Sequence, residues 1–119
     1  FLWPGSQYDL SGFDFSSYHL AIDISAGVGD AVYASDSGTV VYAGWNDSGY
    51  GNLVVIDHGN GYETLYAHLS QVYVSCGQGV YRGGVIGAAG NTGRSFGSHL
   101  HFEVRLNGGF VNPWSVLGY

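Results

Sequence analysis

A chain of 119 residues, 45% hydrophobic and only 10% charged, has the size of one compact domain that buries a single core. Nine carboxylates against three arginines and no lysine give a formal charge of −6, which leaves no basic patch for phosphates and excludes nucleic acid as a partner. One cysteine, Cys76, excludes an internal disulfide framework and a cysteine-rich zinc site, and reads as a buried or turn residue rather than a nucleophile.

Residues 1–18 carry aromatics and turn formers without a clear period and read as an irregular lead-in. Strand-like runs follow in series: His19–Ile24, Ala31–Ala34 and Gly38–Trp45. Leu53–Asp57 and Tyr62–Leu69 flank H-G-N-G, where Asn60-Gly61 tolerates positive φ and predicts an antiparallel hairpin. Val72–Val74, Val80–Tyr81 and Val85–Gly87 are shorter, and His99–Leu106 is the last strand. Twenty-one glycines, ten tyrosines and no apolar 3.6 period over three turns make the fold class all-β. A weak internal echo, G-V-G-D-A-V-Y before S-D-S-G-T-V and G-Q-G-V-Y before R-G-G-V-I, predicts two similar glycine-rich hairpins. Residues 46–52 and 90–98 read as loops, the usual carriers of substrate contacts.

Strand parity sharpens the reading of the histidines. In H-L-A-I-D-I, His19, Ala21 and Asp23 share one face and Leu20, Ile22 and Ile24 the other. In H-L-H-F-E-V, Leu100, Phe102 and Val104 oppose His99, His101 and Glu103. In L-Y-A-H-L, Leu65, Ala67 and Leu69 oppose Tyr66 and His68. Three strands thus each offer histidine from a face turned away from the apolar residues. A single H-x-H or H-x-x-x-D is common by chance, but their coincidence with matching parity points to a metal site. Imidazoles with one carboxylate suit zinc, whereas oxygen-only sites suit calcium or magnesium. A catalytic zinc takes three protein ligands and keeps one position open, so five candidate groups are too many and some have another task.

Together, H-L-A-I-D, Y-A-H-L-S and H-L-H-F-E, with G-Y-G-N-L-V-V-I-D-H-G-N-G-Y and G-N-T-G between them, resemble the lysostaphin/LytM-type zinc metallopeptidases. The likeness runs from about His19 to Pro113, and Trp3-Pro4 and the closing V-N-P resemble the family's flanks. It implies that His19, Asp23 and His101 hold one Zn2+ and that His68 and His99 act on the substrate. The implied fold is a compact antiparallel β-sheet, a sandwich-like barrel hybrid, with long loops walling a groove. The implied activity is endopeptidase cleavage of peptide cross-links or bridges of bacterial peptidoglycan by a metal-activated water. Ala21 replaces the family's usual glycine and Ser98 a frequent proline, and neither change removes a functional group. Some members have lost ligands and serve as silent wall-binding domains or activators of other wall hydrolases. All five positions are filled here, which favours an active enzyme.

Glu103 is a candidate to orient a ligand imidazole, with a solvent-facing strand residue as the equal alternative. Tyr50 and Asn52 are candidates for the groove wall, Arg94 and Phe96 weaker loop candidates, and His58 reads as a turn residue. No stretch approaches the roughly 20 apolar residues of a membrane helix, and no signal peptide is visible. A start at Phe1 reads as a mature fragment or excised domain, residues 1–119 forming one catalytic domain. The resemblance places it outside the cytoplasm, from a bacterium or a phage, and a monomer is expected.

Overall fold

The computed structural model describes residues 1–7, 9–10, 14–93 and 97–117. Nine strands follow one another: β1 (Ile22–Ser25), β2 (Ala31–Tyr33), β3 (Gly38–Asn46), β4 (Gly51–Asp57), β5 (Tyr62–Val72), β6 (Gly79–Val80), β7 (Val85–Ala89), β8 (His99–Leu106) and β9 (Gly109–Val111). A 3-10 turn, Pro113–Ser115, follows them, capped by the Asn112 side chain on the Trp114 amide. All nine strands join one open antiparallel sheet, and no α-helix occurs among the described residues. The expected all-β class holds, and β8 has the bounds predicted for it. β9 was not anticipated, and the separate strand expected at 72–74 is absent: Val72 ends β5, and Tyr73 and Val74 lie outside any strand.

β5 is the spine of the sheet. Its first half pairs with β8, its second half with β7, and its other edge with β4. The predicted hairpin between β4 and β5 is present, with Asn60 at φ 44° and Gly61 at φ 88°. The echoed segments do not form two hairpins. β2 pairs with β7 and β3 with β6, so the two copies interlock crosswise.

The main core lies on one face of the sheet. Ile22, Ile24, Val54, Ile56, Tyr66, Leu69, Leu100, Phe102 and Val104 are buried there. Burying each of these large side chains is worth roughly 1.5–3 kcal/mol, which fixes the pleat of β8 and turns His99, His101 and Glu103 to the other face. That second face carries a smaller cluster of Leu53, Leu65 and Ala67 with Tyr42, Tyr50 and Val55 against it.

Two of the expected faces are corrected. Leu20 is exposed while Ala21 is buried, because regular strand begins only at Ile22 and residues 20–21 form a bend in which alternation has not started. In β5 the faces are inverted: Tyr66 enters the main core, and Leu65 and Ala67 lie on the histidine face opposite Glu103 and His101. A bulge then restores the parity of His68. Asn52 pairs with Leu69 and Val54 with Tyr66, so two steps of β4 oppose three of β5. His68 takes φ 62°, which brings its ring to the face of Ala67 and returns Leu69 to the core.

Candidate metal centre

β1 and β8 are paired so that Asp23 stands opposite His101, and β8 is paired with β5 so that His101 stands opposite Ala67. Small Ala67 leaves room above it, and His68 reaches that space from the bulge. His19 arrives from the bend before β1, held by a two-residue bridge with Ser16. Two groups of three ligand atoms result, His19, Asp23 and His101, and His68, His99 and His101, each within 4.8 Å.

Asp23 is the hub. Its Oδ2 lies 3.4 Å from His19 Nε2, and its Oδ1 lies 3.2 Å from His101 Nδ1 and 3.4 Å from His99 Nε2. The His68 ring is 4.9 Å from that of His99 and 5.5 Å from that of His101. The nitrogens on the far side of the rings are tied down. His68 Nδ1 is 2.7 Å from the Thr92 carbonyl, His99 Nδ1 2.9 Å from the Gly97 carbonyl and His19 Nδ1 3.3 Å from the Asp14 carbonyl. A carbonyl only accepts, so each of these Nδ1 atoms donates, which leaves the Nε2 of each ring toward the centre. His101 is turned the other way: Nε2 meets Glu103 Oε2 at 2.8 Å, leaving Nδ1 to face Asp23.

Glu103 is buried, against the solvent-facing alternative. Besides His101 it accepts from the Tyr50 hydroxyl at 2.7 Å and from Arg105 at 2.9 Å, and Arg105 also reaches the Tyr50 hydroxyl at 3.3 Å. Burial and the Glu103 carboxylate push the Tyr50 hydroxyl up to about 12. Asn52 lies on β4, and its amide donates to the Leu69 carbonyl at 3.0 Å inside the bulge. Thr92 Oγ donates to the same carbonyl at 2.7 Å. Between β3 and β4, residues 47–50 form the turn, shorter than the predicted loop. Trp45, Asn46, Asp47, Gly49 and Gly93 line an open depression of about 390 Å³. Arg94 and Phe96 lie outside the described residues. His58 is remote from the centre, bonded to the Ser37 carbonyl and Thr64 Oγ. Cys76 is exposed, its thiol 3.4 Å from the Val41 carbonyl.

The protonation states follow the geometry. Burial opposes the Asp23 charge, but hydrogen bonds from His101 and His99 outweigh it and hold the carboxyl well below the usual range. Burial also opposes charge on His101, yet Asp23 and Glu103 raise it to about 9 in the metal-free protein. His99 is raised by its hydrogen bond to Asp23, whereas burial lowers His68. A carboxylate and four imidazoles around one space fit a first-row divalent cation, and the donor chemistry suits zinc. Thr92, Gly97 and Asp14 act through backbone carbonyls, which no residue-type signal marks. Arg105 shares the parity of His101 and Glu103, a signal that would have found it.

With a catalytic-type donor set on an open antiparallel sheet, the protein falls in the class of β-sheet metallopeptidases. The chain belongs to peptidase family M23, whose model matches residues 17–113. Among its relatives, the DD-carboxypeptidase/endopeptidase Mpg of Neisseria meningitidis is 54% identical over 82% of this chain and 22% of its own length. The murein hydrolase activator NlpD of Escherichia coli is 45% identical over 97% of this chain and 30% of its own. The catalytic domain of the antimicrobial peptidase lysostaphin from Staphylococcus simulans superposes with a TM-score of 0.79 at 31% identity, over 95% of this chain and 87% of that domain. The lysostaphin/LytM-type family and fold expected from the motifs are therefore those observed. The chain spans less than a third of the length of the two curated relatives.

Proposed function

We propose that this domain is a zinc-dependent endopeptidase that hydrolyses peptide cross-links or bridges of bacterial peptidoglycan outside the cytoplasm. The observation that carries the reading is the convergence of His19, His99 and His101 on the Asp23 carboxylate with His68 beside the last two, their outward nitrogens tied to carbonyls or to Glu103. His19 Nε2, an Asp23 oxygen and His101 Nδ1 would hold the ion. Bound zinc supplies Lewis acidity that polarises a carbonyl and brings the pKa of water toward about 7. His68, kept neutral by burial, takes the proton of the attacking water at Nε2. His99 Nε2, 3.4 Å from Asp23 Oδ1, carries the proton that it donates to the carbonyl oxygen or gives to the leaving amine. Tyr42 and Val55, half-buried over Leu53 and Leu65, offer an apolar floor to a peptide laid across this face.

Incubation with cross-linked peptidoglycan of several chemotypes, with and without chelator, followed by mass spectrometry of the released peptides, tests the reading. Chelator-sensitive cleavage is expected, and its absence on every chemotype would overturn it. His101→Ala is expected to lose zinc, while His68→Ala and His99→Ala keep zinc and lose about 100-fold or more of turnover. The similarity to NlpD supports a second reading, a silent domain that activates another wall hydrolase. Zinc retention without cleavage, with stimulation of an added wall hydrolase, would establish it.

A further inference from the structure

His19 is the one proposed ligand outside a strand, so ladder hydrogen bonds do not set its ring. Its Nδ1 rests on the Asp14 carbonyl at 3.3 Å, and its backbone is closed on Ser16 by bonds of 2.8 and 3.2 Å. The position of that carbonyl depends on what holds residue 14. The Asp14 carboxylate Oδ1 accepts from the Trp114 indole N–H at 2.6 Å, across 100 residues of sequence, and from the Phe15 amide at 2.7 Å. Trp114 in turn sits on the capped 3-10 turn, with its own amide 3.1 Å from Asn112 Oδ1 and Pro113 buried beneath it. Its ring stacks on that of Trp3 at 5.5 Å and 29°, and the Trp3 indole donates to the Gln7 carbonyl at 2.6 Å.

We infer that Trp114 and Asp14 are positioning residues for metal binding: the indole holds the Asp14 carboxylate, and Asp14 holds the His19 imidazole with Nε2 toward Asp23. Two chain segments that contribute no ligand thereby set the orientation of one. The physical reason is geometric. An imidazole outside a strand has two free side-chain torsions, and a ligand lone pair misdirected by a few tenths of an ångström binds a small cation poorly. Anchoring the far nitrogen removes that freedom, and the anchor works only as well as its own fixed point. A carboxylate held by an N–H donor is such a point, because a charged acceptor makes a short, strong bond.

The inference rests on His19 being a ligand. Zinc dissociation constants of the 119-residue chain, measured by competition with a chromophoric chelator, test both together with the melting temperature of the metal-free protein. Trp114→Phe keeps the stack on Trp3 and removes only the donor, Asp14→Ala removes the acceptor, and Asp14→Asn retains an acceptor oxygen. Expected results are zinc binding weakened about tenfold in Trp114→Phe and Asp14→Ala, no further loss in the double variant, near wild-type binding in Asp14→Asn, and an unchanged metal-free melting temperature in Trp114→Phe. Wild-type affinity in Trp114→Phe and Asp14→Ala, alongside a His19→Ala variant that has lost zinc, would overturn the inference alone. Affinity that falls only in step with the metal-free melting temperature would mark a merely structural role and would also overturn it. Undiminished zinc binding by His19→Ala would remove the premise and the proposed ligand set with it.

Discussion

At the scale of single residues, the centre is organised by which nitrogen of each ring is occupied. His101 is the most constrained, with carboxylates on both nitrogens, and this has a pH consequence. Its folded-state pKa of about 9 lies above the ordinary 6.5, so the stabilisation it gives the metal-free protein is complete below pH 6.5 and disappears as pH rises through 9. A cation must displace that proton. The melting-temperature gain on adding zinc is therefore expected to grow between pH 6.5 and 9, which scanning fluorimetry with and without metal will show. Glu103→Gln keeps the shape but withdraws the charge that holds the His101 Nε2 proton. Zinc affinity is expected to fall by about tenfold, read by chelator competition, with the fold intact.

At the scale of elements, β5 and the segment after β7 act as a unit. The bulge that turns His68 into the centre is closed by Asn52 and Thr92, and the Thr92 carbonyl then fixes the His68 tautomer. Gly51, at φ 67°, lies so close to this segment that a Cβ would stand 2.5 Å from the Thr92 carbonyl carbon and 2.6 Å from the Gly93 nitrogen. Gly51→Ala is expected to destabilise by roughly 1–3 kcal/mol in denaturant titration and to lower turnover more than zinc affinity, because it displaces the carbonyl behind His68. Alternation made β8 legible in the sequence, since Leu100, Phe102 and Val104 are all fully buried as a period of two requires. It misassigned β5 because a bulge adds a residue without any compositional mark, and because Tyr66 reads as polar-facing when its hydroxyl is in fact bonded inside the core to Thr64 and the Ser35 amide. It misassigned Leu20 because a two-residue bridge held by the lead-in, not the strand, sets its direction. The burial of Glu103 depends on Tyr50 and Arg105 closing over it, a contact between β8 and the turn before β4 that no local pattern encodes.

At the scale of the whole molecule, a net charge of −6 on 119 residues would oppose approach to the anionic polymer of the proposed function. Mutual repulsion is screened within about 10 Å at 0.1 M salt. Raising salt from about 0.02 to 0.2 M is therefore expected to increase the rate on intact anionic sacculi, while leaving the rate on a short neutral peptide nearly unchanged. Equal salt responses on the two substrates would show that long-range charge plays no part.

The opposite faces of β5 carry very different residues one position apart from a common pivot. Tyr66 is sunk in the main core and His68 stands in the metal centre, with Ala67 between them. Such a strand works as a lever whose short arm is set in the hydrophobic interior. A core substitution that shifts Tyr66 is transmitted to the His68 imidazole within two residues, so the packing of the interior and the placement of that ring depend on the same few atoms of backbone.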